Sequence, residues 1–188
     1  TTITGTTINE LTISLSEGWN LVSGISETVS IYSISDPDGI IIPGTLYGFN
    51  EGYVEADILV PGKGYWVRAF EAGEITLTSG ALAKTLTRDF SLKGKTNSLA
   101  VNGMDLYFGV EMLASDKLSY SLPPKPPSGA FDVRFKGDTR VTKEKAEIEV
   151  MSTTETITIA YNVVIDAGEH MNWVISSGSG KDYILEGS

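Results

Sequence analysis

Asp36-Pro37-Asp38-Gly39 sets two carboxylates two residues apart ahead of a glycine, which is how a calcium loop begins to gather oxygens around one hard cation. The acidic residue that such a loop needs at its twelfth position is missing, because Tyr47 stands there. Asp36 and Asp38 therefore read as part of a plain turn. The other reading is a calcium site completed from elsewhere by Glu51, Glu55 and Asp57. A second constellation is aromatic. Tyr47, Phe49, Tyr53, Tyr65 and Trp66 crowd into a short stretch, and apolar ring faces with polar tips suit a platform on which sugar rings stack. Tyr65 and Trp66 are adjacent in a strand-like run, so they point to opposite faces and only one of them can enter a core.

Groups for covalent or acid–base chemistry are scarce. The chain has no cysteine, which removes disulfides, thiolate metal sites and thiol nucleophiles. Its single histidine, His170, lies in Gly168-Glu169-His170-Met171-Asn172 and cannot make a two-histidine metal site. Gly178-Ser179-Gly180 lacks the full Gly-x-Ser-x-Gly elbow of a serine hydrolase. With 24 acidic residues some pair always falls at a glycosidase spacing, but the sequence singles out none. A net charge of −10 with only 14 basic residues opposes nucleic-acid binding, which Lys and Arg drive by displacing counterions from phosphate. These observations point away from an enzyme and from a required cofactor, calcium being the one ion left open.

The elements that must hold these residues read as β-strands. Short β-branched and aromatic runs cover 19–22, 29–34, 40–42, 46–49, 53–57, 64–70 and 74–78, then 90–92, 98–101, 105–110, 131–135, 146–150, 156–161, 173–176 and 183–185. Gly, Pro, Asn and Asp turn signals stand between them, as in Pro43-Gly44 and Pro61-Gly62-Lys63-Gly64. Thr156 to Tyr161 and Ala146 to Val150 alternate polar with apolar, which predicts antiparallel strands with one face on a core. Helices have little room. No run reaches the roughly 20 apolar residues of a membrane helix, and Thr1-Thr2-Ile3-Thr4-Gly5 is no signal-peptide opening.

The strand rhythm breaks at Ser79-Gly80-Ala81-Leu82-Ala83-Lys84-Thr85, and the charge shifts there too. Residues 1–85 carry 3 basic and 10 acidic side chains, and residues 86–188 carry 11 and 14. The expectation is an all-β chain of two tandem antiparallel sandwich or barrel modules, 1–85 and 86–188. Residues 122–129 hold four of the seven prolines and belong to an extended loop inside the second module. That loop is either a rigid cover for the module's edge or a preformed surface for a partner.

Gly18-Trp19-Asn20-Leu21-Val22-Ser23, followed by Pro61-Gly62-Lys63-Gly64-Tyr65-Trp66-Val67, resembles a β module that recurs in secreted and surface proteins of bacteria, commonly near the C-terminus. Asp105-Leu106-Tyr107-Phe108-Gly109-Val110, with Leu122-Pro123-Pro124-Lys125-Pro126-Pro127-Ser128-Gly129-Ala130-Phe131-Asp132-Val133-Arg134-Phe135, resembles the β domain that follows it there, often ahead of a type IX secretion sorting domain. That sorting domain is not among these residues. The resemblance implies an extracellular or cell-surface accessory region and brings no catalytic residues. On physical grounds the first motif is a folding signature, with the Trp19 and Trp66 indoles supplying buried area and Gly18, Gly62 and Gly64 permitting tight turns.

Taken together, the expected role is a non-catalytic spacer or presenting module whose partners are neighbouring domains of a larger surface protein. The alternative is a module that binds polysaccharide or a surface partner through Tyr47, Tyr53, Tyr65 and Trp66, with calcium at Asp36 and Asp38 assisting. A spacer predicts those rings buried, whereas a glycan binder predicts at least two exposed on one surface.

Overall fold

A computed structural model describes residues 5–83, 91–164 and 172–186. The chain is almost wholly β, in several mainly antiparallel sheets, and its one α-helix among the described residues, α1 (Ala114–Lys117), is a single turn. No helix among them is long and apolar enough to cross a membrane. Two compact units are present: Thr1–Phe90 together with Pro123–Pro126, and Ser91–Leu122 together with Pro127–Ser188. Of the expected proline loop 122–129, Pro123–Pro126 group with the first unit and the remaining residues with the second.

The first unit contains β1 (Glu10–Leu15), β2 (Gly18–Ser23), β3 (Val29–Ser30), β4 (Tyr47–Phe49), β5 (Tyr53–Glu55), β6 (Ile58–Leu59), β7 (Gly64–Ala69) and β8 (Gly73–Thr78). β1 pairs with β8 over six residues, β3 pairs with β6, and β2-β7-β4-β5 form a four-stranded sheet. Along β7 the pleat sends Tyr65, Val67 and Ala69 into the core, where they meet Val22, Leu59, Ile75 and Leu77. Each such aliphatic side chain contributes about 1.5–3 kcal/mol by leaving water. Trp66 and Arg68 take the opposite face, as alternation requires.

Two expected strands are cut short, each by a side chain that captures backbone groups. The run 29–34 is strand only at Val29–Ser30. Beyond it the Ser30 hydroxyl accepts from the Tyr32 amide at 3.3 Å and residues 31–33 tighten into a 3₁₀ turn. The run 40–42 makes only an isolated bridge, Ile41 to Ala69, because the Asp36 carboxylate takes the amides of Ile40 and Ile41, each at 2.9 Å.

In the second unit β9 (Asn97–Val101) lies between β10 (Met104–Phe108) and β14 (Ile159–Asn162). β11 (Asp132–Phe135) pairs with β13 (Ile148–Met151), and β15 (Trp173–Ser176) forms a hairpin with β16 (Asp182–Leu185). β12 (Val141–Thr142) joins β10 in parallel over two residues, an exception to the antiparallel expectation. Leu99, Val101, Leu106, Phe108, Val133 and Phe135 make the larger core. The alternating stretch 156–161 does not deliver a core face: strand begins only at Ile159, on the sheet edge, and all four residues of β14 are exposed. Of the expected strand 90–92, Phe90 lies outside the described residues, and Ser91 and Leu92 are not in a strand.

Candidate functional site

The four-stranded sheet of the first unit sorts the candidate rings by register. Trp19 lies opposite Arg68, Leu21 opposite Trp66, Tyr47 opposite both Trp66 and Glu55, and Phe49 opposite Tyr53. Directly opposed residues share a face, so these side chains stand together on the face away from the Tyr65 core. On that face the rings form a row. Trp19 and Tyr47 have centroids 6.0 Å apart, Tyr47 and Tyr53 6.3 Å, and Tyr53 and Phe49 5.9 Å, all tilted or edge-on as ring quadrupoles favour. The Arg68 guanidinium sits over the Trp19 ring, 5.9 Å from its centroid.

The four rings named from sequence do not make an exposed platform. Tyr47, Tyr53 and Tyr65 are buried, at 2%, 8% and 5% exposure, and Trp66 is half-buried. Tyr65 lies on the other face from Tyr47, Tyr53 and Trp66, with its ring against Gly48 and its hydroxyl accepting from the Val60 amide at 3.0 Å. A Cβ at residue 48 would stand 3.3 Å from that ring, which accounts for glycine in the middle of β4. Phe49, the remaining member of the set, is 55% exposed. An open cleft of about 460 Å³ adjoins it, with Val54, Glu55 and Lys63 on its walls.

Asp36 is half-buried, and both its oxygens are engaged by the amides of Ile40 and Ile41, so the carboxylate closes the turn. Asp38 is exposed. Asp57, one of the acids considered as a supplementary ligand, accepts from the Tyr32 hydroxyl at 2.6 Å. Burial first, then the hydrogen bond to Asp57 and its charge, push the Tyr32 hydroxyl up to about 12. Among the described residues no three of His, Asp and Glu gather as a metal would require. Ser179 lies in the exposed turn of the β15–β16 hairpin, its hydroxyl 2.8 Å from that of Ser177. His170 lies outside the described residues.

Three groups that matter here were not singled out from sequence as site residues: Trp19, Arg68 and Pro124. Arg68 carries a readable signal, since it stands two residues from Trp66 on one strand, whereas Trp19 joins that face only through the register of β2 on β7. Pro124 carries none at short range, yet its carbonyl accepts from the Tyr53 hydroxyl at 2.8 Å. No protein-family model matches the chain, and neither a curated protein nor a solved structure matches it.

Proposed function

We propose that this chain is a non-catalytic structural region, a spacer or presenting module of a secreted or cell-surface bacterial protein, whose partners are the neighbouring domains of that protein. The observation that carries the reading is the fate of the candidate binding rings. Tyr47 and Tyr53 are buried, and the Tyr53 hydroxyl is committed to the Pro124 carbonyl. Side chains that would have stacked on a ligand are spent on the fold instead. The acids support the same view, since Asp36 is occupied by backbone amides and Asp57 by Tyr32. The extracellular setting rests on the resemblance of the Gly18–Ser23 and Pro61–Val67 segments to modules of surface proteins.

A second reading, a module for polysaccharide or a surface partner, draws on the two rings of the set that keep access to solvent, Phe49 and Trp66. A screen of glycans and bacterial polysaccharides with the intact chain, run in calcium and again in chelator beside Trp66→Ala, separates the two. The spacer reading expects silence in every arm and one melting temperature with or without calcium. Saturable binding to any glycan overturns it, and loss of that binding in Trp66→Ala places the site on this face. A melting temperature that rises with calcium would bring back Asp36 and Asp38 as ligands, by mass action on the folded state.

A further inference from the structure

β14 forms one edge of its four-stranded sheet, and the hydrogen bonds just before it fix which way its backbone faces. The Asn102 amide donates to the Thr158 carbonyl at 2.8 Å, and the Thr158 amide donates to Asn102 Oδ1 at 2.8 Å. Thr158 therefore turns its backbone groups towards β9. Antiparallel alternation makes Ala160 and Asn162 do the same and turns those of Ile159 and Tyr161 outward. The outward amides and carbonyls have no partner among the described residues.

The side chains of Ile159 and Tyr161 lie opposite Val101 and Leu99, on the face that holds the core of the second unit, yet they are 47% and 46% exposed. Edge strands ordinarily refuse partners by carrying charge or proline. Residues 156–164 carry neither, in a chain of net charge −10. A run without carboxylates is where two copies of so acidic a chain can meet without opposing like charges, and Ala160 is its midpoint. A two-fold axis at Ala160 sets Ile159 of each copy against Tyr161 of the other, so that outward backbone groups meet outward backbone groups, and sets Thr158 against Asn162. The smallest side chain of the strand then falls on the axis, and the flanking pairs join an aromatic to a β-branched residue, a favourable cross-strand combination. We propose that β14 is a self-association site, pairing antiparallel about Ala160 with β14 of a second copy of this chain, so that two four-stranded sheets join into one. The Ile159 and Tyr161 side chains of both copies cover one another along that seam. One strand pair is a small interface, so the dimer is reversible; it grows with concentration and, as the net charge is screened, with salt.

Sedimentation of the full chain from about 10 µM to about 1 mM, at low and at high salt, is the first test. Wild type should pass from monomer to dimer across that range. Ile159→Pro removes an outward amide without taking any bond from β9, and should remain monomeric with an unchanged circular dichroism spectrum. Ala160→Glu sets two carboxylates against each other on the axis, and should weaken the dimer at least about tenfold, less so at high salt. The register has its own readout, because facing residues of a non-hydrogen-bonded pair have Cα atoms about 4.5 Å apart, within reach of a disulfide. In diamide, Ala160→Cys should form a covalent dimer at least about tenfold faster than Ser179→Cys, whose thiol lies in the exposed β15–β16 turn. A wild-type chain that stays monomeric throughout, a dimer that survives in folded Ile159→Pro, or equal crosslinking of the two cysteine variants overturns the proposal. Should Ile159→Pro not fold, the crosslinking comparison decides.

Discussion

Arg134 and Asp132, two residues apart on β11 and therefore on one face of it, pair through two hydrogen bonds: Nε to Oδ2 at 2.6 Å and Nη2 to Oδ1 at 2.7 Å. The guanidinium is wholly buried, and its Nη1 donates to Asp138 at 2.8 Å. Burial works against the charge, but the hydrogen bonds to the two carboxylates outweigh it and hold the Arg134 proton more tightly than usual. Val133 and Phe135 meanwhile enter the core of the second unit from the other face, so the whole strand is buried. Removing Asp132 leaves the buried guanidinium with Asp138 on Nη1 alone and strips its Nε and Nη2 of the carboxylate, so Asp132→Ala should cost about 3 kcal/mol, the lower end of what breaking a buried pair costs. The double variant Asp132→Leu, Arg134→Met should cost clearly less than the single one. Urea unfolding of the second unit checks both, and a double variant as unstable as Asp132→Ala would show that the pair is not what the strand relies on.

Gly109 follows β10 with φ +69°, and a Cβ there would stand 2.7 Å from Cζ2 of Trp173 and 3.0 Å from Nδ2 of Asn97. The indole is held edge-on to Phe108 at 5.0 Å, so it has little room to withdraw. Gly109→Ala therefore combines a left-handed backbone with a clash in the core, about 2–4 kcal/mol in all. Trp173→Leu should recover part of that loss when added to Gly109→Ala, because it removes the clashing ring. Thermal melts of the four chains in the cycle measure the coupling, and strictly additive losses would refute the steric account.

Asn20 explains a motif residue that its ring neighbours overshadow. Its Oδ1 accepts from the Ser16 amide at 2.9 Å, and its Nδ2 donates to the carbonyls of Ser16 at 2.8 Å and Gly18 at 3.0 Å. One side chain thus fastens the turn from β1 into β2. Asn20→Ala should destabilise the first unit by about 1–3 kcal/mol. Asn20→Asp, which keeps the acceptor and loses the donor, should fall between that variant and wild type. Equal stability of all three in denaturant titrations would mean that water replaces these bonds at no cost.

What was legible in the sequence follows the range of the interaction. The all-β class and strands such as Gly18–Ser23, Gly64–Ala69 and Trp173–Ser176 rest on alternation and turn chemistry, which neighbouring residues determine. The split of Tyr65 from Trp66 follows from the same two-residue period. Capture of the Ile40 and Ile41 amides by Asp36 is also local, but a run of three isoleucines outweighs one carboxylate in any pattern count. The role of Tyr47 and Tyr53 was not legible, because cross-strand register decides which face a ring takes and Pro124 stands 71 residues from Tyr53. Likewise the Asp132 and Arg134 spacing reads as one strand face, while their burial depends on what packs over it.

Tyr32 offers a test of electrostatics that needs no ligand. With its hydroxyl donating to Asp57 and raised to about 12 from an ordinary value of 10.0, the folded chain holds a proton that the unfolded chain has given up. The contribution is therefore complete below pH 10 and is lost as pH climbs from 10 towards 12, since the unfolded state binds fewer protons in that window. Tyr32→Phe removes the titrating group and should flatten that part of the stability profile. Tyr107 is also raised, by burial and by Asp105 and Tyr120, so some alkaline slope should persist in the variant. The informative quantity is the difference between the two chains in denaturant titrations at pH 9, 10, 11 and about 12. A gap that narrows steadily with pH supports the Tyr32–Asp57 bond as a source of stability, and parallel profiles across the window would assign the alkaline loss to other groups.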